Sequence, residues 1–302
     1  MENTGQNKAL KTTEEVALQI LLLCLVGTGS VANILLFVHN FSSIFTVHRL
    51  KPIQVILTNL AVANTFILLA TGFTNDMGVF ILRIPPTDLK CKIEFFVCLV
   101  ARSTNMCSTS ILSTYQFVTL VPGNWVRVMF QGKAPNALSY SCYSCWVFGA
   151  LSNVYISTRV SGPQSTGNNT DSKSKWFCST SAFDIDMISI WYVHDAVFIS
   201  IMVWTSVSMV LLLHRHRQRL WHIHTRNQDH RGHTETRAAH TILMLMSTFV
   251  SFYVLDCICI FFLVSFVDSR LWLRHIKQVL SLNFPIICPL LLICRDPRIL
   301  VL

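Results

Sequence analysis

The chain contains seven runs long and apolar enough to cross a lipid bilayer. A membrane helix needs about 20 mostly apolar residues, and the runs span residues 16–38, 53–73, 91–121, 137–158, 187–213, 241–267 and 276–294. The fourth run is the weakest, because it is rich in Ser, Tyr and Cys. A bilayer core holds no water to bond backbone groups, so each run must fold as a helix. The sequence therefore predicts an all-α membrane protein, a single seven-transmembrane-helix bundle covering residues 1–302.

Composition and motifs exclude several other classes of protein. Of the 302 residues, 52% are hydrophobic and 13% are charged, whereas soluble domains average about 25% charged residues. The net charge of +9 therefore does not indicate a soluble nucleic-acid binder. The sequence lacks the His-Glu-x-x-His and Gly-x-Ser-x-Gly motifs of hydrolases, and the histidines of 214–240 are interleaved with Arg and Gln, unlike zinc ligands. We predict no enzyme activity, cofactor or metal.

Lys and Arg are almost equally frequent on the two sides of the predicted bundle, so charge does not orient it. With the N-terminus outside and the C-terminus inside, Asn168-Asn169-Thr170 falls in the second outer loop and predicts a glycan on Asn168. Cys91 then begins the third helix at the outer side, and Cys178 lies in the same outer loop. Because disulfides persist on the oxidising side of a membrane, we predict a Cys91–Cys178 bond. The other nine cysteines are expected to be small buried thiols.

Six sequence stretches, in order along the chain, resemble the vomeronasal type-1 receptors, a family of pheromone G-protein-coupled receptors. They are HRLKP (48–52), ILTNLAVAN (56–64), ILSTYQFVTLVP (111–122), HRHRQRLWHIH (214–224), RAAHTILMLMSTFVSFYVLD (237–256) and NFPIICPLLLICRDPRI (283–299). The broader rhodopsin-like pattern is absent: Tyr115-Gln116-Phe117 replaces Asp/Glu-Arg-Tyr, Asn64 replaces an aspartate, and Cys288-Pro289 stands where Asn-Pro is usual. These departures put the familiar switch contacts of that larger group in doubt.

The resemblance implies a multi-pass plasma-membrane receptor of sensory neurons. Its partners would be the lipid bilayer, a small-molecule pheromone or odorant, and a heterotrimeric G protein of the inhibitory class. Two alternatives are a receptor like the bitter taste receptors, which also lack the usual triplet in helix three, and a membrane transporter. A transporter is disfavoured because the predicted helices lack charges in their inner halves.

The inner side of the bundle carries the predicted switch and coupling residues. Pro285 and Pro289 each free a carbonyl four residues earlier and bend the last helix. A hinge near the inner end is the preferred interpretation, and a static kink is the alternative. The residues expected to contact the G protein are Gln116, Arg215, Arg219 and Arg237.

Three charged residues are predicted to lie at one depth inside the membrane. Counted from the inner helix ends at 1.5 Å per residue, Arg102, Asp195 and Asp256 all reach the outer half of the bundle. Such groups are costly in a bilayer and usually face the interior. The layer is either a structural ion pair or the floor of a ligand site. The predicted ligand-binding residues are Arg102, Asn105, Met106, Tyr192, Asp195, Tyr253 and Asp256, with His194 beside them. A ligand held by Arg102 would be anionic or carry a carbonyl group.

The predicted outer disulfide can be tested by Cys91→Ser. Losing a native disulfide typically costs about 2–5 kcal/mol of stability, so we expect less receptor at the cell surface, measured by flow cytometry against total protein. Cys24→Ser, in the first predicted helix, is the control and should have little effect. Normal surface levels of the Cys91 variant would contradict the predicted bond.

Overall fold

The computed structural model describes residues 2–46, 52–72, 87–121, 125–158, 160–161, 179–180, 185–222, 229–265 and 271–295. Within these ranges the chain forms seven α-helices and two short strands. In chain order they are α1 (Glu2–Thr46), α2 (Pro52–Gly72), α3 (Asp88–Leu120), α4 (Trp125–Thr158), β1 (Val160–Ser161), β2 (Ser179–Thr180), α5 (Ile185–His222), α6 (Asp229–Ser265) and α7 (Leu271–Arg295).

The described helices begin earlier or end later than the apolar runs indicate. The first run begins at residue 16, but α1 begins at Glu2, and α4 begins at Trp125 rather than at residue 137. Apolarity marks only the part of a helix that suits a bilayer. Polar residues with good helix propensity can continue a helix beyond its apolar run. The helix bounds therefore differ from the bounds of the runs.

Five of the described helices contain segments long and apolar enough to cross a membrane: Val16–Ser42, Ile53–Gly72, Asp88–Leu120, Tyr192–Arg215 and His240–Cys259. The apolar part of α7, Val279–Cys294, is shorter, and α4 is the helix that the sequence already marked as weakly apolar. The helical membrane bundle is confirmed. Seven crossings and the outward N-terminus stay predictions.

Helix α3 is the centre of the bundle and packs against α2, α4, α5 and α6. Its N-cap residue is Thr87, whose side-chain oxygen accepts a hydrogen bond from the Lys90 backbone N–H at 3.3 Å. Asp88 lies in its first turn. Both features favour a helix start, because they satisfy a free N–H group and complement the helix dipole. The central helix is also unusually polar, since its buried residues include Ser103, Thr104, Asn105, Ser108, Thr109, Ser110, Ser113 and Gln116.

Several of the buried polar side chains of α3 bond to neighbouring helices. Ser108 accepts from the Asn59 amide of α2 at 2.7 Å, and the indole N–H of Trp146 on α4 donates to the Asn59 carbonyl oxygen at 2.7 Å. The hydroxyls of Ser113 and Thr205 link α3 to α5 at 2.5 Å. Hydrophobic driving force between helices is weak in lipid, so such bonds and close packing hold membrane helices together. The order of the helices around α3 therefore depends on these neutral polar contacts.

Helices α3 and α4 are joined by a disulfide between Cys107 and Cys145, whose Cα atoms are 5.8 Å apart. The expectation that both residues are free thiols was wrong. Gly149, one turn from Cys145, explains the close approach, because a methyl group there would lie 3.2 Å from the Val100 carbonyl oxygen. The distance between two thiols on different helices depends on such packing, which the spacing of cysteines along the sequence does not show.

Strands β1 and β2 pair antiparallel, with Val160 opposite Thr180 and Ser161 opposite Ser179. Strand β1 lies next to α3 and the end of α4, so this part of the second predicted outer loop folds back on the bundle. Cys91, near the start of α3, is buried and disulfide-bonded. Cys178 and Asn168 lie outside the described residues, so the Cys91–Cys178 pair and the glycan stay predictions.

Both prolines of the last apolar run lie inside α7. Pro289 has no N–H, so it leaves the Pro285 carbonyl without its helical partner. The side-chain amide of Asn33, fully buried on α1, donates to this carbonyl at 2.8 Å and also to the Gly29 carbonyl at 2.8 Å. Gly29 allows the approach, because a Cβ atom there would lie 2.7 Å from Ile286 Cγ1. A neighbouring helix thus satisfies the group that the proline frees.

Asn33→Leu should weaken the contact between α1 and α7, because it leaves the Pro285 carbonyl buried without a donor. Interhelical side-chain hydrogen bonds in membrane proteins are worth roughly 0.6–1.7 kcal/mol, so we expect a lower melting temperature for the purified receptor in detergent. Asn40→Leu is a matched control, since Asn40 is also buried on α1 but its bond among the described residues goes to the Leu36 carbonyl of its own helix. An equal loss in both variants would show that the α7 contact adds nothing.

Candidate functional site

Arg102, near the middle of α3, lies between two carboxylates from different helices. Its Nη2 atom is 3.5 Å from Asp195 Oδ2 of α5 and 3.5 Å from Asp256 Oδ2 of α6. The two aspartate side chains are almost fully buried, whereas 27% of the Arg102 side-chain surface is exposed. Arginine suits this position, because its planar fork of five N–H donors can serve more than one carboxylate. We call Arg102, Asp195 and Asp256 the charge cluster.

Tyr253 completes the contacts of α6 with the charge cluster. Its hydroxyl donates to Asp195 Oδ2 at 3.1 Å, and the Arg102 guanidinium carbon lies 6.0 Å from the centre of its ring. Tyr253 precedes Asp256 by three residues, so both side chains project from nearly the same face of the helix. A cation at this distance from an aromatic face is attracted by the ring, and the tyrosine therefore supports both the arginine and the aspartate.

His194 supports Asp195 from within α5. Its Nδ1 atom is 3.0 Å from Asp195 Oδ1. Since an ionised carboxylate only accepts hydrogen bonds, this geometry assigns the imidazole hydrogen to Nδ1. The ring stacks on Phe148 of α4, with centroids 5.3 Å apart, and meets Phe198 edge-on at 5.1 Å. Asp195 thus has partners on both oxygens, and its side chain is held in one orientation.

Two buried polar atoms of this region have no hydrogen-bond partner within the described part of the chain: Asp256 Oδ1 and His194 Nε2. An unsatisfied buried polar group typically costs about 1–3 kcal/mol, and more when it is charged. Asp256 is only 5% exposed, so bulk water does not compensate for the missing partner. The cluster therefore has spare acceptor capacity at Asp256, in contrast to the saturated Asp195.

The structure brings together four of the predicted ligand-binding residues: Arg102, Asp195, Tyr253 and Asp256. Tyr192, half-buried on α5, lies within electrostatic range of Asp256 and Arg102. The two remaining predicted residues make their contacts elsewhere, and a ligand would have to displace those contacts to reach them.

Asn105 and Met106 are these two residues. The Asn105 amide donates to the Asn64 carbonyl oxygen of α2, and Met106 is buried in the main hydrophobic core with residues such as Leu60 and Met246. Both lie about one turn deeper along α3 than Arg102. Counting depth along a helix placed them close to the charge cluster, but their actual partners depend on how α2 and α6 pack against α3.

Phe148 and Phe198 are neighbours of the site that sequence reasoning missed. Phe198 follows His194 by four residues, so the helical repeat could have suggested their contact. Phe148 comes from α4 and contacts both His194 and Phe198. Nothing in the sequence distinguishes it from the other apolar residues of that helix. These rings make one wall of the site aromatic.

The predicted coupling residues occupy different environments. Gln116 is buried on α3, so a G protein could contact it only after neighbouring helices move apart. Arg215 is exposed on α5. The side chains of Arg219 and Arg237 lie outside the described residues, and the roles of all four stay predictions.

Residues 16–302 match the vomeronasal organ pheromone receptor family. The chain is 29% identical to vomeronasal type-1 receptor 1 of Gorilla gorilla gorilla over 285 residues, which cover 93% of this chain and 80% of the relative. It is 30% identical to vomeronasal type-1 receptor 2 of Homo sapiens over 291 residues, covering 95% and 73%. Identity to vomeronasal type-1 receptor 4 of Homo sapiens is 29% over 288 residues, covering 92% and 94%.

The unequal bonding of the two aspartates predicts unequal effects of their substitution. Among the described residues, Asp195→Asn alters contacts with Arg102, Tyr253 and His194, whereas Asp256→Asn alters the contact with Arg102 alone. Removing one partner of a buried ion pair costs about 3–5 kcal/mol when the other charge is left alone. Since either single variant leaves Arg102 one carboxylate, we expect a smaller loss for Asp256→Asn than for Asp195→Asn, measured as surface receptor relative to total receptor. A larger loss for Asp256→Asn would contradict this ranking.

Proposed function

The chain belongs to the vomeronasal type-1 receptor family, a family of multi-pass membrane chemosensory receptors. From this premise we propose that it binds a small organic ligand at the charge cluster and activates a heterotrimeric G protein. The observation that carries the proposal is the arginine shared by two carboxylates from different helices. Ionisable groups inside a membrane bundle are costly, and they typically mark functional sites.

The contacts of the charge cluster join the three helices whose relative positions matter for signalling. Arg102 belongs to α3, Asp195 to α5, and Asp256 and Tyr253 to α6. A ligand shifts a two-state equilibrium only when its affinities for the two states differ. A ligand whose polar groups replace some of these contacts binds more tightly to the arrangement of α3, α5 and α6 in which those groups are hydrogen-bonded. This provides the required difference in affinity.

Helices α5 and α6 extend toward the proposed G-protein surface. Helix α5 continues to His222, about two turns past the apolar segment Tyr192–Arg215, and α6 begins at Asp229, about three turns before His240–Cys259. These extensions leave helical surface beyond the apolar segments. Arg215, exposed at the end of the apolar segment of α5, supports contact with an acidic surface of a partner. The family resemblance favours an inhibitory-class α subunit.

The proposed route from ligand to G protein includes the proline-containing part of α7. Phe249 of α6 meets Phe284 of α7 edge-on, with ring centroids 4.5 Å apart, and Phe249 lies about two turns from Asp256 on the same helix. A shift of α6 at the charge cluster would therefore displace Phe284, next to Pro285. A hinge at Pro285 and Pro289 then requires the Asn33 contact with the Pro285 carbonyl to rearrange or to move with α7.

The proposal is tested with cells that express the receptor and a promiscuous G protein, exposed to a panel of volatile and steroid-like compounds. Once an agonist is found, Arg102→Gln, Asp195→Asn and Asp256→Asn should weaken the response at equal surface level. Arg102→Lys keeps the charge but lacks the fork geometry, so its response should lie between those of wild type and Arg102→Gln. Trp204→Leu, on the exposed side of α5, is the matched control and should respond like wild type.

The decisive contrary result is a set of three cluster variants that reach the surface and keep the wild-type dose-response curve for every agonist. In that case the cluster would be a structural brace only. A response that persists in cells lacking G-protein α subunits would contradict the coupling part of the proposal.

A further inference from the structure

The charge cluster has more negative groups than positive groups. Among the described residues, Arg102 is the one Lys or Arg within ion-pair distance of Asp195 and Asp256. The nearest charged residue toward the start of α3, Glu94, pairs with Lys90 at 3.6 Å and lies about two turns from Arg102. Among the described residues, the formal charges of one arginine and two aspartates leave one negative charge without a fixed counter-charge. A charge in this situation is costly in a buried site.

The unbalanced charge can be assigned to Asp256. Asp195 has hydrogen-bond partners on both oxygens, namely His194 on Oδ1 and both Tyr253 and Arg102 on Oδ2. Asp256 has only Arg102, at Oδ2, and its Oδ1 has no partner among the described residues. Because Asp256 is 5% exposed, the missing partner is a hydrogen-bond donor that reaches a buried carboxylate oxygen.

His194 does not supply the missing positive charge in this arrangement. Its Nδ1–H faces Asp195, and its Nε2 atom is buried without a partner in the described part of the chain. In the tautomer with its hydrogen on Nδ1, the imidazole has a lone pair on Nε2, so this atom is an acceptor. Both atoms that lack partners near the cluster, Asp256 Oδ1 and His194 Nε2, are therefore acceptors.

We infer that the ligand of this receptor carries a protonated amine, which donates a hydrogen bond to Asp256 Oδ1 and balances the charge of the cluster. The inference rests on the proposed function and specifies the ligand class of the same site. It replaces the expectation of an anionic or carbonyl-bearing ligand, which considered Arg102 alone. An anion would meet two carboxylates and an arginine already directed at them, and a neutral hydroxyl would satisfy the acceptor without balancing the charge.

The aromatic neighbours of the cluster are compatible with a cation. Tyr253 already lies within cation–π distance of Arg102, and Tyr192 lies within electrostatic range of Asp256. Phe148 and Phe198 pack around His194. Organic ammonium groups are bound well by sites that combine a carboxylate with aromatic faces. Arg102 keeps 27% of its side-chain surface exposed, so the cluster is not fully enclosed by the described residues.

The experiment compares analogues that share one carbon skeleton. For phenylethyl, cyclohexylethyl and steroid skeletons, the panel contains a primary amine, its N-methyl and N,N,N-trimethyl derivatives, the alcohol and the carboxylate. Responses are measured in cells that express wild-type receptor and a promiscuous G protein. We expect the primary and N-methyl amines to activate and the carboxylates to be inactive. The trimethyl compounds keep the charge but lack an N–H donor, so their potency should be about 10- to 100-fold lower.

Receptor variants then locate the contact. Asp256→Asn removes the charged acceptor and should reduce amine potency about 10- to 100-fold at equal surface level, while Asp256→Glu should retain part of it. Val254→Ala, on the exposed face of α6 two residues away, is the matched control, with a change of less than about threefold. If Asp256→Asn does not reach the surface, the comparison of amine, trimethyl, alcohol and carboxylate on wild type decides the question alone.

Three results would overturn the inference: carboxylates or alcohols at least as potent as the matched amines, amine potency unchanged in Asp256→Asn, or no activation by any amine of the panel. These results are distinct from failure of the proposed function. If carboxylates activate wild type and Arg102→Gln abolishes that response, the site binds a ligand of the opposite charge and the proposed function stands. If agonists are found and none depends on the cluster, the proposed function fails as well.

Discussion

A buried polar group that lacks a hydrogen-bond partner destabilises a membrane protein, and the packing of this bundle depends on avoiding that loss. In lipid no water repairs the loss, and each unsatisfied group costs several kcal/mol. The described part of α3 carries a long row of buried Ser, Thr and Asn residues, and neighbouring helices bond to several of them: Asn59 bonds to Ser108 and in turn accepts from Trp146, Asn153 bonds to Ser103, and Thr205 bonds to Ser113. The arrangement of α2, α4 and α5 around α3 follows from satisfying these groups.

The charge cluster extends the same principle to ions. Asp195 is bonded on both oxygens by His194, Tyr253 and Arg102, so it holds α3, α5 and α6 together. Asp256 is bonded on one oxygen only, within the described part of the chain. A fully satisfied network would stabilise one arrangement of the helices and leave a ligand little to gain. Under the proposed function, a ligand that bonds to Asp256 would gain free energy from this incomplete bonding, and only in the arrangement of helices that presents the oxygen to it.

The sequence predicted the parts of the structure that depend on local pattern. Apolar runs gave the helices, and counting residues from the inner ends placed Arg102, Asp195 and Asp256 at one level, where they are in contact. Contacts that depend on packing were not predictable. The Cys107–Cys145 bond needs the close approach at Gly149, Asn105 bonds to α2, and the donor to the Pro285 carbonyl is Asn33, 252 residues away in sequence. Each of these depends on which helices are neighbours and at what distance.

The distribution of charge along α3 limits how a signal can travel through the bundle. Below the cluster, toward Leu120, the described links between helices are neutral: Asn105 with Asn64, Ser108 with Asn59, and Ser113 with Thr205. Asn64 stands where the broader rhodopsin-like pattern has an aspartate, and Gln116 where it has the arginine of its triplet. Electrostatic change is therefore confined to the level of Arg102, because neutral hydrogen bonds respond weakly to a distant charge. Under the proposed function, a ligand bound there would act at a distance through displacement of helices, and the packed contact of Phe249 with Phe284, beside the prolines of α7, would pass on a movement of α6.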